Sequence, residues 1–487
     1  MQKTLAAKSV SAVVWSAIEA FSRQGIQFLI TLVLVRLLSP EEYGLIAMLA
    51  LFIGIVGVFT DGGFAAALVQ KQNIVQIEIS SVFYYNLITG LAAAGLLCLA
   101  SSWIAGFYHQ PLLQPLTRLM ALNLFLGSLG AVHSILMTRD LDFRTQTRIS
   151  IFATMGSGVA AILLAWRGFG VWSLAWQSII STIITVLLLW YLRPWRPVLA
   201  FSMDAIRRLF RFGSFLLFSS LLDTIFVRIQ GLIIGKVYSA RDLGYYSRAD
   251  GTQQLPSNLL SVVISRVAFP LFASVQNDPD LMRRGMKKAT ERIMFINLPI
   301  MLGLLAIARP FVLVVFGERW RPCVPYLQIL CLAGVLWPMH CINLTVLKSL
   351  GRSDLFLVLD LIKKSLGVIA LFIAAAISVS AMAWSQVIMG AVSFYLNAYY
   401  TGVFLKYPPA HQIRDITPCI LSAVFMLVAV WLMGLIPIRP LWLLPVQTLS
   451  GAVIYTGICA CWKISVYQDM LQELKSQMSR FKLSFIM

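Results

Sequence analysis

Glu19, Arg23, Gln24 and Gln27 interrupt the first long apolar stretch, Val10 to Leu38. Positions 19, 23 and 27 are spaced four apart, so a helix stacks them into one stripe. An ionisable side chain that faces hydrocarbon costs on the order of 3 kcal/mol or more, so such residues turn toward a bundle interior or a wet cavity. The chemistry open to the stripe is ionic. A guanidinium binds oxyanions bidentately and keeps its charge, and a neighbouring carboxylate can hold it in place or take up a coupling ion. Arg118, Arg228 and Arg266 also fall inside apolar runs. Asp223, Arg228 and Gln230 repeat the acid, base and amide order in a later helix, which makes Asp223 a second coupling candidate beside Glu19. A further polar seam runs through Asp250, Gln254, Asn258, Ser261 and Ser265, at intervals of three or four, and ends beside Arg266. Amides and hydroxyls offer donors and acceptors together, which suits sugars as well as interhelical hydrogen bonds; Gln27, Gln254 and Asn258 are the sugar-facing candidates. Asp61, ahead of Gly62 and Gly63, reads as a helix-end cap and, second, as an ion site.

These residues need helices that hold them inside a membrane. Hydrophobic residues make up 59% of the 487 and charged residues 12%, with a mean hydropathy of +0.82; soluble domains carry about 25% charged residues. The class is an all-α polytopic membrane protein. The net charge of +19 fits loops held by anionic membrane lipids rather than a nucleic-acid surface. Seven scattered cysteines supply neither a disulfide framework nor a metal site: Cys459 and Cys461 have no second pair and no nearby histidine. His109, His133, His340 and His411 form no cluster and receive no role. Asp360 and Lys364, four apart, read as a structural salt bridge, and Pro299 and Pro338 mark kinks.

Apolar runs long enough to span, about 20 residues each, lie at 10–35, 43–69, 80–105, 112–137, 146–166, 169–192, 212–235, 245–272, 290–315, 323–348, 355–378, 381–405, 415–436 and 441–463. That is about 14 transmembrane helices, and the even count puts both termini on one side. Most lysines and arginines fall on that side, Lys348, Arg352, Lys363, Lys364 and Lys406 counted among them, so it is cytoplasmic. The expected organisation is an N-lobe over 1–200, an interfacial linker helix over 201–211, a C-lobe over 212–405, two further helices over 406–465 and an amphipathic cytoplasmic tail over 466–487. Ser202 caps the linker helix, whose Met203, Ile206 and Phe210 face the membrane while Arg207, Arg208 and Arg211 face phosphates. The tail, from Tyr467 on, lies on the membrane as well.

The chain repeats itself. Arg36-Leu-Leu-Ser39-Pro-Glu-Glu42-Tyr-Gly44 is echoed by Lys236-Val-Tyr-Ser239-Ala-Arg-Asp242-Leu-Gly244. Arg139-Asp140-Leu141 is answered by Arg352-Ser-Asp354-Leu355, and Trp176-Gln177 by Trp384-Ser-Gln386. The shared order at matching span boundaries describes two six-helix lobes related as parallel repeats, an architecture in which substrate sites lie near the midplane between the halves.

The stretch Arg36 to Gly44 also resembles the ARLL-P-EFG turn of bacterial polysaccharide exporters of the Wzx and colanic-acid-exporter type. Asp61-Gly-Gly-Phe-Ala-Ala-Ala-Leu-Val-Gln-Lys71 is similar to their D-G-ALIQ-K segment. Gly168-Phe-Gly-Val-Trp172, Arg266-Val-Ala-Phe-Pro270 and Phe316-Gly-Glu-Arg-Trp320 match in order and spacing. The resemblance covers residues 1–360 well and the last four helices weakly. It implies membership of the multidrug/oligosaccharidyl-lipid/polysaccharide transporter superfamily, with two lobes around a cavity that opens to each side in turn. It further implies a monomeric flippase that carries undecaprenyl-diphosphate-linked oligosaccharide units across the bacterial inner membrane for lipopolysaccharide, exopolysaccharide or capsule synthesis, beside a polymerase and chain-length machinery. Related lipid II flippases use cavity arginines on the first and eighth helices, which here are Arg23 and Arg266. No cofactor is implied beyond a coupling gradient of H+ or Na+.

Two other readings compete. A multidrug antiporter for organic cations wants buried acids in excess, yet Arg23, Arg118, Arg228 and Arg266 outnumber Glu19 and Asp223. A membrane-embedded polymerase or ligase needs a sizeable external loop or a paired-carboxylate site; neither is found, and the expectation is a transporter rather than an enzyme.

Overall fold

The computed structural model describes the backbone of residues 2–71, 73–264 and 268–486, and their side chains apart from residues 2–14, 16–18, 20, 21, 212, 262, 263, 353, 474 and 477–486. Every regular element among the described residues is helical. The first are α1 (Gln2–Leu37), α2 (Pro40–Asp61), α3 (Phe64–Gln70), α4 (Gln76–Tyr108), α5 (Leu113–Arg139), α6 (Phe143–Trp166), α7 (Val171–Leu192), α8 (Met203–Val237) and α9 (Ala240–Val263). Then follow α10 (Phe269–Ser274), α11 (Pro279–Ala306), α12 (Ala308–Phe311), α13 (Cys323–Val335), α14 (Trp337–Ser349), α15 (Ser353–Ala375), α16 (Val379–Leu405), α17 (Pro409–Met433), α18 (Pro440–Cys461) and the tail helix α19 (Ser465–Ile486). With α2 and α3, α9 and α10, α11 and α12, and α13 and α14 each taken as one broken span, they fall on the fourteen expected spans. Among the described residues, 11 helices are long and apolar enough to cross a membrane by length and composition. Those outside the eleven include α1, α9 and α15, which carry Glu19 and Arg23, Asp250 and Gln254, and Asp360 and Lys363.

The breaks have local causes. Gly62 and Gly63 adopt φ of 58° and 74°, the left-handed region in which a Cβ is strained, and they end α2. Pro338 opens α14 and has no N–H for the Gly334 carbonyl; Asn297, wholly buried on α11, donates instead to the carbonyls of Gly334 and Val335 at 3.1 and 3.0 Å. Pro299, by contrast, lies within α11, which continues through it.

The repeat is visible in atomic detail. At the head of α2, Glu42 N–H donates to Ser39 Oγ while Ser39 N–H donates to the Glu42 carboxylate at 2.6 Å. At the head of α9, Asp242 N–H donates to Ser239 Oγ at 3.0 Å, and the Ser239 hydroxyl donates to Asp242 at 2.6 Å. The two caps also meet: a Cβ on Gly44 would overlap the Ala240 carbonyl, and one on Gly244 would overlap the Pro40 carbonyl. Glycine at both positions lets the backbones touch.

Contacts group the chain into two compact units, Met1–Ser247 and Arg248–Met487. The first includes α8, although the repeat makes α8 the head of the second half. The linker and the seventh span are one continuous helix, capped as expected by Ser202, which accepts from Ala205 N–H. Ile206 corrects the sequence reading. It packs with Leu209 into a core of Phe64, Leu68, Val82, Phe83 and Val132 and does not face the membrane. Met203, Phe210, Arg207, Arg208 and Arg211 are exposed. The preceding link is strapped to the start of α4, where Ser80 Oγ accepts from Val198 N–H, Ser81 Oγ accepts from Ser202 N–H, and the Trp195 indole donates to Gln76. Glu78, buried beside this strap, pairs with Lys71 at 2.5 Å and lies 3.6 Å from Arg208.

In the second unit α17 and α18 are part of the main core: Ile416, Cys419, Ala423 and Met426 from α17, and Tyr455 and Cys459 from α18, pack on Met294, Leu298 and Leu302 of α11. Asn343 and Gln412, both wholly buried, bond each other's amides reciprocally at 2.9 and 3.1 Å. Such interhelical bonds hold spans together where lipid is as apolar as leucine. The base of the tail docks rather than lying free, with Val466 buried, Tyr467 and Met470 against the same core, and Glu473 paired with Arg292 at 2.6 Å.

Candidate functional site

Glu19 and Arg23 line a cavity of about 210 Å³ in the first unit. α6 supplies Gln146, Ser150 and Thr154, which recur every four residues and therefore share a face. Ser181 and Thr185, again four apart, come from α7, and Ser134 from α5; Ile149, Ala153 and Leu189 complete the wall. Three helices thus turn a four-residue polar stripe toward one space. The Gln146 side-chain oxygen is buried with no hydrogen-bond partner, so an acceptor stands ready for a donor. Thr154 donates its hydroxyl to the Ser150 carbonyl at 2.7 Å, which leaves its oxygen free to accept. One fixed cation, one acid and a ring of hydroxyls and amide can hold an oxyanion with the first hydroxyls attached to it. The volume lies below the roughly 300–1,000 Å³ of sites that enclose a whole small molecule, which is room for a charged group rather than for an oligosaccharide.

The other expected residues are placed elsewhere. Gln27, one turn beyond Arg23, is exposed and does not line the cavity. Arg118 sits in the second turn of α5 and donates to Ser101 Oγ on α4 at 3.3 Å. Asp223 and Arg228 are exposed on α8. Asp61 is the last residue of α2, directly ahead of the Gly62–Gly63 break, and α3 starts without a side-chain cap bond. In the second unit Gln254 donates to Asp250 at 2.8 Å, Asn258 is exposed, and Ser261 accepts from the Trp337 indole at 2.9 Å. Arg266 and Ser265 lie outside the described residues.

A second polar cluster went unread in the sequence. Lys363, counted there among the loop cations, stands inside α15 and is 8% exposed. Its ammonium donates to Asn397 Oδ1 on α16 at 3.3 Å, and Asn397 Nδ2 donates to Nδ1 of His340 on α14 at 2.8 Å. His340, given no role above, is therefore part of a buried chain. The signal was the pair of lysines, Lys363 and Lys364, within the 355–378 run. The Asp360–Lys364 bridge forms as expected, at 2.7 Å. Among the described residues, no group of three or more His, Cys, Asp or Glu could hold a metal ion.

Helices that fall on fourteen expected spans, eleven of them long and apolar enough to cross a membrane among the described residues, with the same capped turn opening α2 and α9, define a multi-pass membrane protein. Residues 33–325 match the family described as polysaccharide biosynthesis protein. The chain belongs to that family. It is 29% identical over 358 residues to the teichuronic acid biosynthesis protein TuaB of Bacillus subtilis, covering 71% of this chain and 72% of that one. It is 27% identical over 339 residues to the lipopolysaccharide biosynthesis protein WzxC of Escherichia coli, covering 68% of each. Among solved structures, the lipid II flippase MurJ in an inward closed conformation matches 94% of this chain and 100% of its own with a TM-score of 0.77 at 15% identity. The fold is thus shared with MurJ, and the resemblance to polysaccharide biosynthesis proteins of the Wzx type is borne out.

Proposed function

We propose that the chain is a flippase that moves an undecaprenyl-diphosphate-linked oligosaccharide unit from the cytoplasmic to the outer leaflet of the bacterial inner membrane, with both termini in the cytoplasm. The observation that carries this reading is Arg23 beside the hydroxyl-lined cavity. The names of the relatives, which concern teichuronic acid and lipopolysaccharide synthesis, and of MurJ, a lipid II flippase, support it. Arg23 binds the diphosphate in bidentate fashion, Glu19 one turn away orients the guanidinium, and Gln146 and Ser150 meet the first sugar hydroxyls. Arg266 is a second diphosphate ligand by family resemblance; Gln254, Asn258 and Gln27 extend the sugar contacts. Binding and release alternate between the two sides, coupled to a cation gradient. The exposed Arg207, Arg208 and Arg211 hold anionic lipid at the cytoplasmic face, and the exported unit passes to a polymerase. No chemical step is assigned to the chain.

The test is complementation of a deletion strain with Arg23→Ala. Surface polysaccharide is lost and the lipid-linked unit accumulates in the membrane, while the protein stays at its normal level. Undiminished export by Arg23→Ala overturns the assignment.

A further inference from the structure

We infer that Lys363 is the proton carrier of the transport cycle: its side chain gives up and regains one proton each time the protein moves its cargo. The inference rests on the transport reading above and names the coupling ion that reading leaves open. The first observation is burial. Lys363 lies in the interior of α15, about 12 Å along the helix from Leu355 where the expected span begins, and is only 8% exposed. An ionisable side chain there is retained for a function more often than for packing.

The second observation is the charge balance. Lys363 faces Asp360 and Lys364 from its own helix, Cys341 and Lys348 from α14, and Asn397 from α16, with His340 behind Asn397. One carboxylate, Asp360, serves two ammonium groups and lies 2.7 Å from Lys364. Lys348 is turned toward the Phe356 ring at 4.4 Å. The hydrogen-bond partner of Lys363 is thus an uncharged amide, and the trio of Asp360, Lys363 and Lys364 holds one positive charge in excess. Lysine can shed such a charge by losing a proton, which arginine cannot do. A sodium ion at the same place meets an ammonium of like sign.

The third observation is that the bonds survive the change. An ammonium can only donate, so Asn397 presents Oδ1 to Lys363 and Nδ2 to His340, whose Nδ1 accepts. On deprotonation, Lys363–NH3+ becomes Lys363–NH2 and the proton passes to water; the amine keeps one N–H on Asn397 Oδ1. Charge alone changes. The partly exposed Asp360–Lys364 pair, 30% and 21% accessible, is the polar exit next to it. His340 and Asn397 are positioning residues, since neither carries the proton.

Lys363→Arg and Lys363→Met separate a carrier from a fixed cation. In the deletion strain both variants are expected to lose export at normal protein levels, because one cannot release the proton and the other cannot hold it. Wild-type export by Lys363→Arg shows that a fixed charge suffices and overturns the proposal; wild-type export by Lys363→Met overturns it as well. A second measurement needs no export. Thermal melting of the purified full chain and of Lys363→Met from pH 5 to pH 10 reads the proton directly, because a difference in Tm that changes with pH reports a group titrating differently in the folded and unfolded states. A changing difference is expected, and a constant one overturns the proposal. If the deletion strain exports normally, the transport reading fails and the melting curves still decide Lys363.

Discussion

In the first unit Arg23 and Glu19 lie one turn apart beside a cavity ringed by hydroxyls, and Gln146 keeps an unpartnered oxygen toward it. In the second unit Lys363 is packed among helices, its neutral partner Asn397 has no exposed surface, and Asn397 in turn binds His340. Both places hold ionisable groups on helices of a membrane protein, yet the first lines a cavity and the second is closely packed, with Lys363 8% exposed and Asn397 without exposed surface. A roomy polar site can be filled by water or ligand, so its side chains are free to exchange partners. A packed one must satisfy every polar atom from within, because an unmet buried group costs its full desolvation. The contrast fits a binding site for cargo in the first unit and a site for a small ion in the second.

The comparison breaks most visibly at Asn397. Asn397→Leu removes the acceptor of a buried ammonium and the donor to His340 together, and a hydrogen bond to a charged group is worth about 1.5–3 kcal/mol. The variant should melt well below wild type and lose export. An unchanged Tm would show that Lys363 and His340 find other partners, and the second site would then be as roomy as the first. Gln146→Leu is the counterpart. Its oxygen is already without a protein partner, so stability should change by no more than about 0.5 kcal/mol, while export drops because one cargo contact is gone. A large loss of Tm in Gln146→Leu with normal export would place Gln146 in the scaffold and leave Arg23 as the binding element.

Sequence spacing reveals the first site only in part, for a physical reason. Glu19 and Arg23 sit on one helix at four-residue spacing, so their shared face follows from helix geometry alone. Ser150, Thr154, Ser181 and Thr185 share faces too, but hydroxyls are tolerated in any span, and only the packing of α1, α6 and α7 aims them at Arg23. The second site is harder still. Lys363, Asn397 and His340 come from three helices, one residue from each, and no local period links them. The caps at Ser39 and Ser239 are legible because a capping turn is complete within four residues. Ile206 is not, since the apolar face of an amphipathic helix suits lipid and protein core equally; which one it meets is decided by Leu68 and Phe83 far along the chain.

A third kind of charge calibrates the other two. Arg352 and Asp354, just ahead of the 355–378 span, form an exposed pair: Arg352 donates twice to the carboxylate, at 3.0 and 2.7 Å. This bond holds the Asp354 carboxyl down at about 2, against about 3.9 for a free aspartate. The folded state therefore binds this proton more weakly than the unfolded chain does. The stabilising contribution is complete above the ordinary carboxylate range and is lost as pH falls through that range toward about 2. Solvent screens the pair, so the effect is the smallest of the set. Asp354→Asn should leave a small deficit in Tm at pH 7 that shrinks as pH falls below the ordinary carboxylate range and closes only near pH 2, with export unchanged. A deficit as large as that of Asn397→Leu would mean that an exposed charge pair matters as much as a buried one, and burial would no longer explain the large effect expected at Lys363.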